Sequence, residues 1–239
     1  MIGAGPLGGR IAQTFLQHGI GKLALLDERP VDSLWDAFTP FGLTSGGDGR
    51  RADAVLRERL TVPVECLDAK LDSAGVELAV ANSDFLVLAL EQPDVRVAQL
   101  VNRFAIRERK PWLLATIDGN LGLVGPLFHP VDTACYNDYQ TLAVAATPSP
   151  AMARKHREHR LGGGVRSFFA GLPSYVEIVA GHASLAVVHF LLRGSCFALG
   201  RVMVIDFDRM RIDVEDVLKL PRCPVCGTQK SAYRPPFPA

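Results

Sequence analysis

Met1 to Asp27 constrains this chain more than any other stretch: it opens Met-Ile-Gly-Ala-Gly-Pro-Leu-Gly-Gly-Arg and closes Leu-Ala-Leu-Leu-Asp. Gly3, Gly5 and Gly8 form G-x-G-x-x-G, and a helix-like run from Leu7 to His18 follows. Gly19 stands where a helix would stop, and Lys22 to Leu26 is a short apolar strand ending on Asp27. The first glycine permits a tight turn, the second lets backbone approach a phosphate, and the third lets helix and strand pack closely. The helix N-terminus offers unpaired N–H groups and partial positive charge to an anion. An acid about twenty residues past the glycines can hydrogen-bond a ribose hydroxyl.

This pattern predicts a Rossmann-like nucleotide fold in which Gly3, Gly5, Gly8 and Asp27 face the ligand. The fingerprint ordinarily follows a buried strand of about five or six apolar residues, yet only Met1 and Ile2 precede Gly3. The expectation is a truncated N-terminal strand, from a misplaced start or a fragment of a longer protein.

The remainder reads as alternating strands and helices. Arg50 to Leu60 has the composition of a helix and Val62 to Leu67 that of a strand. Phe85-Leu-Val-Leu-Ala-Leu90 is an unbroken apolar run, as a parallel strand buried on both faces requires. Val97, Leu100, Val101, Phe104 and Ala105 recur at helical spacing up to about Arg109, and Trp112 to Ile117 is a further strand. Such alternation implies a doubly wound, mostly parallel sheet. Beyond Gly119 the pattern changes. Leu121 to Phe128 reads as a strand, Tyr136 to Ala146 as a helix, and Arg154 to Arg160 as a basic, mobile loop running into Gly162 to Gly164. Ser174 is placed to cap a helix from Tyr175 to Arg193, and Gly200 to Phe207 with Met210 to Val214 forms an antiparallel extension. The expected division is a nucleotide-fold region over 1–135, a C-terminal part of the same domain over 136–227, and a disordered proline-rich tail over 228–239.

With 239 residues, 48% of them hydrophobic, the chain can bury a large core in one or two domains. A formal charge of +1 gives no overall attraction to nucleic acid or anionic membrane. No run of eighteen apolar residues occurs, which argues against a membrane span, and the start has no signal-peptide pattern. Five cysteines, two of them in Cys223-Pro-Val-Cys226, suit a cytoplasmic protein with thiols or metal ligands better than a secreted disulfide scaffold. Cys66 and Cys196 sit in apolar surroundings and read as core.

With those pieces in place, the chain resembles the ThiF/MoeB-type superfamily, the fold of ubiquitin-activating enzymes. Within it, the chain is most similar to the ThiF-like partner proteins of azole-forming peptide biosynthesis. The residues that carry the resemblance are Ile2-Gly-Ala-Gly-Pro-Leu-Gly8, Val124-Gly-Pro-Leu-Phe-His-Pro-Val-Asp-Thr-Ala-Cys135, and Gly200-Arg-Val-Met-Val-Ile-Asp-Phe207 with Leu218-Lys-Leu-Pro-Arg-Cys-Pro-Val-Cys-Gly227. The resemblance implies a protein that holds a ribosomal precursor peptide and activates a YcaO-type cyclodehydratase. That partner uses ATP to turn Cys, Ser or Thr into azoline rings. The family assigns leader binding to an N-terminal winged-helix-like module, for which Met1 and Ile2 ahead of Gly3 leave no room, so the resemblance implies truncation or a separate leader-binding protein. Family members tend to dimerise, and the apolar helix from Tyr175 is a candidate interface or core helix.

For adenylation, the superfamily needs cations on the triphosphate and a magnesium carboxylate, because phosphoryl chemistry depends on neutralising spread charge. The segment Ser33-Leu-Trp-Asp-Ala-Phe-Thr39 has no cation where active members carry an Asn and an Arg. Arg50 and Arg51 stand near the expected Lys, Arg51 being the candidate nucleotide contact. Glu91-Gln-Pro replaces the usual Thr-Asp-Asn, so the magnesium acid would have to be Glu91 or Asp94, and the leading reading of both is a solvated helix-start acid. The sequence offers no catalytic residue and a vestigial ATP site. Cys223 and Cys226 resemble half of a zinc knuckle. The second half reads Cys135-Tyr-Asn-Asp138 where the family has Cys-x-x-Cys, so Cys135, Asp138, Cys223 and Cys226 form a candidate Cys3Asp zinc site, with a metal-free knuckle as the alternative.

The leading expectation is a non-catalytic scaffold or activating subunit. The alternative is an ATP-dependent adenylating enzyme acting on a peptide or small-protein C-terminus. A nicotinamide-dependent oxidoreductase rests on the fingerprint alone.

Overall fold

The structure, a computed structural model, describes residues 1–31, 50–60, 64–91, 93–161 and 172–227. The expectations for Ser33 to Thr39, for Gly162 to Gly164 and for the tail 228–239 lie outside the described residues.

Helix α1 (Pro6–Gln17) leads to strand β1 (Ala24–Leu25), α2 (Ala52–Arg59) and β2 (Glu65–Cys66). Then follow α3 (Ser73–Ala81), β3 (Leu86–Leu90), α4 (Val95–Glu108), β4 (Trp112–Asp118) and β5 (Leu121–Phe128). The chain continues through α5 (Tyr136–Ala145), α6 (Pro150–Leu161), α7 (Pro173–Arg193), β6 (Arg201–Asp206) and β7 (Arg211–Asp216).

β1 pairs β2 in parallel, and β3 to β7 form a five-stranded sheet in sequence order. Only the β3–β4 pairing in that sheet is parallel; β5, β6 and β7 each pair antiparallel with the strand before. Ile2 joins the two sheets, forming parallel bridges with Leu26 on one side and Leu88 on the other. Its N–H donates to the Val87 carbonyl at 2.8 Å, its own carbonyl accepts from Ala89 N–H at 2.9 Å, and Met1 O accepts from Leu26 N–H at 3.0 Å. Met1 and Ile2 thus pair on both sides at the position between β1 and β3, through isolated bridges and not a full strand.

Residues alternate across β3, which explains its uninterrupted apolar run. Val87 and Ala89 join the core under α1, α2 and α7, while Leu86, Leu88 and Leu90 join the opposite core under α3 and α4. Period-two geometry sends successive side chains to opposite faces, and both faces here are covered.

Two local expectations change, and one helix, α3, lies in a stretch to which the sequence pattern assigned no element. Its segment Ala-Gly-Val-Glu-Leu-Ala-Val-Ala lacks a clean apolar stripe; the Asp72 carboxylate caps it by accepting from Gly75 N–H at 3.0 Å. The basic stretch Arg154 to Arg160 lies in helix α6, not a mobile loop, since Ala, Met, Arg, Lys and Glu are all good helix formers. α7 is entered through Leu172 with Pro173 in its first turn, so Ser174 lies inside the helix and does not cap it.

By length and composition α7 is the one helix among the described residues that could cross a bilayer. Here one face, Val176, Val179, Ala180, Ala183, Ala186 and Val187, is buried in the core shared with α1, while Leu185, Leu191 and Leu192 are exposed.

Candidate functional site

Two constellations stand out: the glycine cradle at the start of α1, and a thiol–carboxylate cluster where α5 meets the segment after β7.

In the cradle, Gly3 has φ +101°, and a Cβ there would lie 1.9 Å from the Ala89 carbonyl oxygen. A Cβ on Gly8 would lie 2.1 Å from Gly3 O. These two positions serve the turn and the close helix–strand packing that the fingerprint demands. Gly5 is different. It precedes α1 with no side-chain cap, and a Cβ there would meet Glu91 Oε1 at 2.3 Å. Glu91 Oε1 also accepts from the Leu7 N–H at 3.1 Å. The approach that the second glycine normally gives a phosphate is thus taken by a carboxylate delivered from the end of β3.

Glu91 is therefore not a solvated acid; its side chain is only 9% exposed. Burial pushes its pKa up, opposed by the neighbouring Arg29. Asp94 is the helix-start acid, accepting from Arg96 N–H at 3.0 Å and Val97 N–H at 3.1 Å to cap α4.

Asp27 is fully buried and already engaged. Its carboxylate accepts from Ala4 N–H at 2.8 Å and from the Arg29 guanidinium at 2.8 and 2.5 Å. Arg29 also lies 3.7 Å from Glu91 Oε2, bridging the two acids. Burial works against its charge, but Asp27 and Glu91 outweigh it and hold the pKa above the ordinary arginine value. Sequence reading missed Arg29, although an arginine two residues past the ribose acid was a visible signal.

Arg51 points elsewhere. Its guanidinium donates to Asp53 at 3.1 and 2.7 Å and to the carbonyls of Leu67 and Ala69, both at 3.1 Å. Asp53 in turn accepts from the Asp27 N–H at 2.9 Å. Arg29 and Arg51 are thus both committed to carboxylates of the chain. Replacing Arg29 with Met leaves Asp27 and Glu91 buried without a counter-charge, and urea denaturation should show a loss of about 3 kcal/mol. An unchanged midpoint would show that the bridge contributes nothing.

The second constellation unites residues far apart in sequence. The ligand atoms of Cys135, Asp138, Cys223 and Cys226 all lie within 4.8 Å of one another. Cys135 is the N-cap of α5, which places Asp138 one turn on, where its carboxylate accepts from Cys135 N–H at 3.0 Å. Cys223 and Cys226 come from a tight turn closed by Gly227 N–H donating to Cys223 O at 2.9 Å. The Sγ atoms of Cys135 and Cys223 are 3.7 Å apart, and Cys226 Sγ lies 3.1 Å from Asp138 Oδ2. Asn137 Nδ2 donates to Cys223 Sγ at 3.4 Å.

This donor set fits a tetrahedral metal ion. With metal–sulfur bonds of about 2.3 Å, two thiolates on one ion stand about 3.8 Å apart. Asp138 is fully buried, yet its Oδ1 has no hydrogen-bond partner. A buried carboxylate oxygen without a partner is costly, and a cation beside it removes the cost. Burial, foremost, pushes the Cys226 and Cys135 thiols up, so without an ion they stay protonated.

Beside the cradle, at the carboxyl ends of β3 and β4, lies a cavity of about 290 Å³ lined by Leu90, Asp94, Thr116, Tyr139, Ala153 and Arg157. Thr116 Oγ1 and Arg157 Nε are buried there without a partner.

A glycine cradle on a parallel half-sheet, an antiparallel extension and a terminal cysteine cluster together define a Rossmann-like, ThiF-type fold. The solved structures that share it include E. coli MccB with ATP, with a TM-score of 0.74 and 19% identity over 95% of this chain and 65% of that one. The microcin C7 biosynthetic enzyme MccB in complex with N-formylated MccA gives 0.73 and 19%, over 95% and 66%. PaaA gives 0.66 and 20%, over 91% and 72%. The chain thus spans about two thirds of MccB's length. No protein-family model and no curated protein matches the sequence.

Proposed function

We propose that this chain is a ThiF-like scaffold or activating subunit of a peptide heterocyclase. It holds a ribosomal precursor peptide while a YcaO-type partner performs the ATP-dependent formation of azolines from Cys, Ser or Thr. One observation carries the reading. The cradle where a triphosphate would sit is filled by Glu91, and Arg29 and Arg51 are already bound to carboxylates. Adenylation must neutralise a dispersed negative charge in the transition state, and cations held by internal acids are poorly placed to do so. Zinc in the Cys135, Asp138, Cys223 and Cys226 cluster is structural in this reading, because four protein ligands leave no open position for chemistry. The cavity beside the cradle, with its apolar walls and unpaired Thr116 and Arg157 donors, suits a stretch of peptide.

The alternative is an adenylating enzyme acting on a peptide C-terminus. The fold likeness to MccB, a protein solved with ATP and with N-formylated MccA, favours it. ATP–pyrophosphate exchange separates the two. Purified chain, with magnesium and candidate precursor peptides, is expected to give no exchange above background, while the same chain added to a YcaO-type partner raises azoline formation. Exchange by the isolated chain would establish the alternative.

A further inference from the structure

We propose that Glu91 is an internal counter-ligand, holding the anion position of the glycine cradle so that a phosphate-bearing ligand must displace its carboxylate to bind. The inference rests on the non-adenylating reading and supplies a physical cause for it.

Three features of the geometry converge on this role. The carboxylate presses on Gly5, the position whose missing side chain admits an anion, so that a Cβ would fall 2.3 Å from its oxygen. The same oxygen takes the Leu7 N–H at 3.1 Å, in the first turn of α1, where an incoming phosphate would seek its donors. The counter-charge is shared, since Arg29 Nη2 lies 2.5 Å from Asp27 and 3.7 Å from Glu91. A phosphate entering the cradle therefore meets two buried carboxylates around one guanidinium, and like charges at such separations repel strongly in a poorly solvated site. Glu91 directly follows β3, whose five residues are all buried, so the carboxylate is delivered by a fixed sheet element. The cradle retains the shape for phosphate, and one side chain denies it. The ligand chemistry is that of a polyphosphate anion, whether free or carried by a nucleotide.

The test is calorimetric titration of the full chain with sodium tripolyphosphate, without divalent cations, and in parallel with adenosine. Glu91→Gln keeps the side chain's shape and a carbonyl to accept from Leu7 while removing the charge. It is expected to bind tripolyphosphate at least about tenfold more tightly than wild type, with adenosine binding unchanged. Glu91→Asp keeps the charge but shortens the arm by one methylene; it is expected to shift affinity the same way by a smaller factor, which covers the case of a glutamine variant that does not fold. Tripolyphosphate affinity equal to wild type in whichever variants fold overturns the proposal. So does an equal gain for adenosine, which would mean general loosening. Failure here leaves the scaffold reading standing, because pyrophosphate exchange on unaltered protein decides that separately.

Discussion

Cys223→Ser protein, purified beside the unaltered chain, should contain less than about a tenth of an equivalent of zinc and unfold on the order of 10 °C lower. Elemental analysis and scanning calorimetry read the two effects. The expectation follows from the packing of three sulfurs and one carboxylate in a largely buried space, hydrogen-bonded to one another, to the Cys135 N–H and to Asn137. A metal ion converts those thiols to thiolates, balances Asp138, and ties the segment after β7 to the start of α5. Since burial holds the Cys135 and Cys226 thiols protonated in the metal-free fold, binding must release protons, and zinc affinity should fall as pH is lowered. Asp138→Cys is expected to keep a full equivalent of zinc, because a thiolate replaces the oxygen ligand. Asp138→Ala should lose both the metal and the bond to the Cys135 N–H. Protein that contains no zinc after growth in zinc-supplemented medium, and whose unfolding ignores a chelator, would remove the metal from the account.

Gly8→Ala is the other large effect, at about 4 kcal/mol or more, or outright failure to fold. The added methyl would sit 2.1 Å from the Gly3 carbonyl oxygen and 2.7 Å from its carbon, and both are backbone atoms that cannot rotate away. Relief would require α1 to move off the strand junction, opening contacts of Leu7 and Ile11, which are fully buried. Gly21→Ala is the matched control, since nothing lies within 4 Å of its added Cβ. It should be neutral or stabilising by about 0.5 kcal/mol, because alanine narrows the unfolded ensemble. Equal urea midpoints for the two variants would show that the cradle is not tightly packed.

Much of the architecture was legible because it is written in local patterns. The G-x-G-x-x-G turn, the two-faced apolar run of β3 and the helical spacing in α4 each depend on residues within a few positions of one another. Cys223 and Cys226 are legible for the same reason, since two residues between cysteines bring both sulfurs to one side of a turn. α3 went unassigned because glycine and β-branched residues blur its pattern, and α6 was misread because a neighbouring glycine run coloured it.

The nature of the cradle's occupant is a tertiary fact. Glu91 is 84 residues from Leu7 in the chain, and nothing near it in sequence distinguishes a solvated acid from one pressed on Gly5. Cys135 and Cys223 meet across 88 residues, and only the folded sheet turns two half-motifs into one four-ligand cluster. Sequence by itself determined that a phosphate-shaped turn would form, because backbone sterics at Gly3 and Gly8 require it. Tertiary structure decided that a carboxylate fills that turn and that Arg29 bridges two acids there, because long-range packing sets which charges lose their water together and must then pair.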